Sequence, residues 1–307
     1  MQFFKEPNIN FIKYRYIAAA ISGTIILIGI ISMILHGGLR YGIDFTGGTS
    51  LQIRFEKPVN IGEVRSVLSS IGLGNSEIKE FATMNEFLIR MQQQSGSEDP
   101  SNRLVQELSN RIKDNKLEIR LKETVGPRIG SELRRAAIWA ILITLILILI
   151  YVGWRFEFKY SSGAVIALFH DVLIPLTFFS LLNLEITLNI IAAFLTIVGY
   201  SINDTIVIFD RIRENLKLYR REDYLTIVNK SINQTLGRTI LTSLTVLFVV
   251  AILFFFGGEV IHDFSFALLI GVISGTYSTV YIATAIAVEW FLAQERKKKK
   301  ALVAYSK

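Results

Sequence analysis

The chain has 307 residues, 51% of them apolar and only 19% charged, with a net charge of +7. That balance excludes an ordinary soluble domain of this length. With no cysteine, disulfides and thiolate metal sites are excluded too, and any domain outside a membrane must rest on its own core. In chain order, residues 1–15 form a short cytoplasmic N-terminus carrying Lys5, Lys13 and Arg15. Residues 16–36 are long and apolar enough for a first membrane span, since a hydrocarbon core ~30 Å thick needs about 20 such residues. The apolar stretch is too long for a secretory signal, and no small-residue cleavage pattern follows at His36, so an uncleaved first helix is expected.

Residues 37–135 turn polar and periodic, which predicts a folded extracytoplasmic domain. Leu51, Ile53 and Phe55 alternate as in a half-buried strand, and Val64, Val67, Leu68 and Ile71 recur at helical spacing, with Gly72 and Gly74 ending that helix. Short strands are expected over 77–82 and 86–91, an exposed loop over 92–101, a second helix through Leu104, Val105, Leu108 and Ile112, and a last strand through Leu117, Ile119 and Leu121. Strand, helix, strand, strand, helix, strand is the order of a small α+β ferredoxin-like sandwich. The glycine-rich residues 42–49 open this domain, but no Gly-Lys-Ser/Thr follows and they lead into a strand. A tight turn seating the domain on its first membrane helix is therefore expected in preference to a phosphate loop.

Five further spans are expected at 136–154, 164–182, 188–209, 239–256 and 264–291, giving a six-helix integral membrane protein. Residues 210–238 are a basic cytoplasmic connection, and 292–307 a basic tail with Arg296 and Lys297 through Lys300. Arg155 and Lys159 lie between the second and third spans, whereas the turns around 183–187 and 257–263 hold no Lys or Arg. The positive-inside rule then puts both termini in the cytoplasm. Because the basic residues flank spans, they read as topology signals and not as a nucleic-acid surface. The stretch 211–235 alternates charges with Leu216, Leu218, Tyr224, Ile227, Val228 and Ile232, which predicts an amphipathic segment near the bilayer or a docking face.

Ionisable side chains inside spans are costly and generally face a partner, a cavity or an ion path. Asp171, after His170, lies in the third span, and Asp204 in the fourth. Asn189, Thr196, Tyr200, Asn203 and Asp204 fall along one helical stripe. Arg238, at the cytoplasmic start of the fifth span, sits at a depth compatible with Asp204, and its guanidinium stays charged. The pair fits either a static bridge or a carboxyl that exchanges protons beside a fixed cation, and Asp171 fits simple bonding to neighbouring Ser or Thr groups. In the sixth span Gly271 and Gly275 form a Gly-x-x-x-Gly spacing among Ser274, Thr276, Ser278 and Thr279, suited to close helix packing. No nucleophile with an adjacent base, metal cluster or nucleotide loop is present, so an enzyme is not expected.

Several strings occur in order along the chain. They are Gly-Ile-Asp-Phe-Thr-Gly-Gly-Thr from Gly42, Val125-Gly126-Pro127 with Glu132-Leu133-Arg134, His170-Asp171-Val172, the run from Gly199 through Asn203, Asp204, Thr205 and Asp210 to Asn215, Gln234 to Thr239, and Phe256-Gly257-Gly258. Together they resemble the SecD/SecF family of bacterial protein-export membrane subunits and, through it, the proton-driven resistance-nodulation-division transporter superfamily. The resemblance runs nearly end to end. It implies a structural motif at Asp44, Phe45, Gly47 and Gly48, and a proton relay at Asp204 and Arg238 with Tyr200, Asn203, Thr205 and Asp171 in support. Also implied are protons as coupling ion with no cofactor or metal, half of an RND-type bundle, and a place in the bacterial inner membrane. The implied partners are a SecD-like subunit, the SecY/SecE/SecG channel, YajC, unfolded exported polypeptide and the lipid bilayer. A non-conducting scaffold subunit and a small-molecule efflux subunit are the alternatives.

Overall fold

The computed structural model describes residues 7–81, 85–92, 99–112, 115–156 and 158–305, without the side chains of residues 158, 159 and 302–305. Lys5, the strand end at Ala82, residues 93–98 of the loop and the side chain of Lys159 lie outside what is described. The membrane part consists of α1 (Arg15–Leu35), α5 (Pro127–Arg155), α6 (Phe158–Leu181), α7 (Leu188–Leu218), α8 (Tyr224–Phe256), and a sixth span made of α9 (Glu259–Ser278), one π-helical turn (Thr279–Ala283) and α10 (Thr284–Tyr305). Six helices among the described residues are long and apolar enough to cross a membrane. They are not equivalent in position: the most apolar stretch of α6 is 56% buried and that of α5 only 11%. So α6, α7 and α9 form the centre of the bundle, while α1, α5 and α8 turn broad apolar faces outward.

Between α1 and α5 lie the short α2 (Ile43–Thr46), β1 (Gly48–Phe55), α3 (Ile61–Ser70), β2 (Glu77–Glu80), β3 (Glu86–Gln92), α4 (Pro100–Arg111) and β4 (Leu117–Val125). The sheet order is β2-β3-β1-β4 with every neighbouring pair antiparallel, as the ferredoxin-like reading expects. Leu51, Ile53 and Phe55 lie on the same face as Phe87, Ile89 and Met91, and this face is covered by Val64, Val67 and Leu68 of α3 and Leu104 and Leu108 of α4. Each helix begins on a side-chain cap: Asn60 accepts from Gly62 N–H at 2.7 Å and Asp99 from Ser101 N–H at 3.0 Å. Such caps satisfy amide donors that the helix leaves open.

Two expectations need correction. Residues 211–235 do not form a separate segment lying near the bilayer, because α7 continues to Leu218 and α8 already starts at Tyr224, capped by Asp223. Ile212, Tyr224, Ile227, Val228 and Ile232 are buried; most of them pack with Phe11, Ile12 and Val288, so burying this apolar stripe extends the bundle core to the junction of α7 and α8. Likewise, the glycine-rich turn does not seat the domain on α1. A Cβ on Gly47 would come within 2.7 Å of Pro127 Cα, and one on Gly130 within 3.1 Å of Phe45 O, so this turn is packed on the start of α5.

Candidate functional site

Asp44, in α2, reaches across to the membrane part. Its Oδ2 accepts the Leu188 N–H at 2.8 Å, satisfying an open amide at the start of α7. Gly42 N–H donates to Ile186 O at 2.9 Å and Ile186 N–H to Arg40 O at 2.7 Å, so the base of the domain is stitched to the turn between α6 and α7. Phe45 is buried among Ala137, Phe179 and Ile190. Gly47 has φ of +80°, a conformation open to glycine at little cost, and a Cβ on Gly48 would lie 2.3 Å from Met91 O. The motif thus joins the outer domain to α5 and to the head of α7.

Asp204 lies 16 residues farther along α7, ~24 Å at ~1.5 Å per residue. It is only 2% exposed, and its Oδ2 has no hydrogen-bond partner among the described residues. Arg238 acts on it electrostatically through space, but no ion pair joins the two among the described residues, and Arg238 is exposed on α8. The static bridge is therefore not what the structure holds. The two ionisation states of Asp204 differ in how strongly they draw on the Arg238 charge, so gain or loss of a proton changes the attraction between α7 and α8.

The remaining residues separate into two groups. Tyr200 donates to Ser243 Oγ at 3.0 Å, and Ser243 meets Thr276 at 2.7 Å, linking α7, α8 and α9. Thr205 meets Thr279 in the π turn at 3.2 Å. Asn203, adjacent to Asp204, instead faces outward with Asn189 and Thr196, so the helical stripe is divided along its length. Together with Arg238 these residues leave polar groups on an outer face of the bundle at membrane depth, where a second set of helices would cover them.

Asp171 is fully buried and well satisfied. Its Oδ2 accepts from Ser201 of α7 and, at 2.7 Å, from Ser278 of α9, and its Oδ1 lies 3.0 Å from His170 Nδ1. His170 Nε2 then meets Ser22 of α1 at 2.9 Å. Gly271 and Gly275 serve packing inside the chain: a Cβ on Gly271 would lie 2.1 Å from Ile197 Cδ1, and one on Gly275 3.2 Å from Ser201 Cβ. Ser201 as partner of Asp171 was not legible beforehand, although its place one turn before Asp204 is a signal. Glu185, the acid in the turn between α6 and α7, carries no sequence signal of its own; it is buried against the outer domain.

Fold and site define a six-helix membrane protein with an outer α+β domain tied to the head of a helix that holds a buried acid, unpaired among the described residues. The family described as "Protein export membrane protein SecD/SecF, C-terminal" matches residues 105–293, and the "SecD/SecF GG Motif" matches residues 33–59. A protein translocase subunit SecF of Desulfurispirillum indicum is 46% identical over 288 residues, covering 92% of this chain and 91% of its own length. That of Vibrio alginolyticus is 43% identical over 293 residues, covering 94% and 92%. The crystal structure of SecDF from Thermus thermophilus, a translocon-associated membrane protein, superimposes with a TM-score of 0.82 at 40% identity over 92% of this chain. The chain spans only 39% of that longer protein. It belongs to the SecD/SecF family of protein-export membrane proteins.

Proposed function

We propose that this chain is a non-enzymatic subunit of bacterial protein export that acts with a SecD-like partner, draws on the proton gradient across the inner membrane and keeps both termini in the cytoplasm. Protons are the coupling ion, with no cofactor. The observation that carries the reading is Asp204: almost wholly buried, one oxygen without a hydrogen-bond partner among the described residues, and within electrostatic reach of a fixed cation with which it forms no ion pair among them. Protons moving inward titrate this acid, the α7–α8 attraction changes, and α7 transmits the change to the outer domain through the Asp44 contact at its head. A charge crossing ~100 mV releases ~2.3 kcal/mol, enough for a domain motion and too little for large-scale unfolding of cargo, so repeated cycles are needed. The cargo is unfolded polypeptide leaving the SecY/SecE/SecG channel, with YajC as a further neighbour.

The test reconstitutes this chain with its SecD-like partner and channel in vesicles carrying an imposed proton gradient. Asp204→Asn is expected to abolish the gradient-dependent part of substrate release while the complex assembles normally; undiminished gradient dependence sinks the proposal. The exposed polar stripe of Asn189, Thr196 and Asn203 with Arg238 also favours a second reading, a scaffold that only holds the partner bundle. Under that reading Asp204→Asn lowers the abundance of the complex and leaves gradient dependence per complex intact.

A further inference from the structure

The turn between α6 and α7 carries an acid that the relay does not use. The Glu185 side chain is 5% exposed and points into the junction with the outer domain. Its Oε1 lies 3.1 Å from Arg40 Nη2, in the segment leading to α2. Its Oε2 is 3.6 Å from Arg90 Nη1 of β3 and has no hydrogen-bond partner among the described residues. That same Arg90 nitrogen donates to Glu77 Oε2 of β2 at 3.1 Å, so two carboxylates from opposite sides of the junction converge on one guanidinium nitrogen. Lys79 of β2 is 3.9 Å from Glu77 but 2.5 Å from Asp263 of α9, and is committed to the latter. Further charged or titratable groups at the junction among the described residues are His262, whose Nδ1 lies 3.3 Å from Asp263, Asp44, which holds the Leu188 N–H, and Arg134 of α5, whose guanidinium lies 5.8 Å from the centre of the Tyr41 ring.

We infer that Glu185 is a second proton-binding site, at the junction of the outer domain and the membrane helices, and that its bound proton secures the domain on the turn between α6 and α7. A proton on the free Oε2 turns the repulsion between Glu185 and Glu77 into an O–H···O bond and removes a buried charge that Arg40 and a shared Arg90 compensate incompletely. In keeping with this geometry, burial, followed by the charge of Glu77, pushes Glu185 up to about 7 against the pull of Arg40 and Arg90. If the domain lifts, Glu185 meets water and returns to the ordinary carboxylate range. The docked form therefore binds the proton more tightly: docking strengthens as pH falls below about 7 and weakens as pH rises through it, by up to ~10-fold per pH unit between the two values. This site takes protons from the outer face and does not depend on whether Asp204 conducts.

The absence of cysteine allows a clean test. Spin labels at Glu80→Cys and Val260→Cys, both exposed and on opposite sides of the junction, report domain docking in the full chain held in lipid nanodiscs without any gradient. A separated population should appear as pH rises through about 7, and Glu185→Gln, permanently neutral, should stay docked throughout. Glu77→Gln should move the transition to lower pH, since it removes repulsion while leaving Arg90. Infrared titration of the same samples should show a carboxyl signal near neutral pH that is lost in Glu185→Gln. A label distance that ignores pH, or a transition that survives Glu185→Gln and disappears in His262→Ala, overturns the inference. An Asp204→Asn chain should retain the wild-type transition, which separates failure here from failure of the relay.

Discussion

The two aspartates buried in the membrane, Asp171 and Asp204, share residue type and depth of burial and differ in what surrounds them. Asp171 gathers Ser201, Ser278 and His170, and through His170 reaches Ser22, so one carboxylate ties α6 to α1, α7 and α9. Asp204 has an oxygen with no hydrogen-bond partner among the described residues, and the Arg238 charge acts on it without an ion pair among them. A buried polar group with all its bonds made holds a structure together, whereas one left short is free to change state. The contrast gives the first acid a packing role and is what the proposed proton exchange at the second, three residues after Ser201 on the same helix, rests on.

The comparison is broken most severely by Asp171→Ala, which strands three polar partners in the bundle centre. A loss of about 3 kcal/mol in unfolding stability is expected, read by thermal or denaturant unfolding in detergent. Next comes Ser278→Ala, which makes Asp171 resemble Asp204 by removing one donor; ~0.6–1.7 kcal/mol is expected, and combination with Ser201→Ala should be non-additive because both act on one oxygen. Asp44→Ala removes the cap on α7 and should cost ~1 kcal/mol, with faster amide exchange confined to the first turn of that helix. The smallest stability change, no more than about 1 kcal/mol, is expected for Asp204→Asn, which keeps the side chain's shape, and this is the substitution with the largest expected effect on gradient-dependent export. A stability loss there as large as that of Asp171→Ala would erase the distinction.

Much of the architecture could be read before any coordinates. Six apolar runs specify six helices because a span must satisfy its backbone within its own helix, and the alternation at Leu51, Ile53 and Phe55 specifies a strand with one buried face. Asp204 and Arg238 were legible because charge inside a span is rare. The continuation of α7 to Leu218 and the start of α8 at Tyr224 were not, since Leu216, Tyr224 and Ile232 fit an interfacial segment as well as a bundle core until Phe11 and Val288 are seen against them. Nor was the role of Glu185, a single acid in a six-residue turn.

Local pattern alone determined the spans, the order of strands and helices in the outer domain and the presence of two intramembrane acids, because hydrophobic period and backbone hydrogen bonding act over neighbouring residues. Tertiary structure decided which acid is satisfied, that the Arg238 charge reaches Asp204 with no ion pair between them among the described residues, that Asp44 caps α7, and that Glu77, Arg90 and Glu185 meet at one junction. Those outcomes depend on distances between residues far apart in the chain, and a carboxylate's chemistry is set by the donors and charges that folding brings to it.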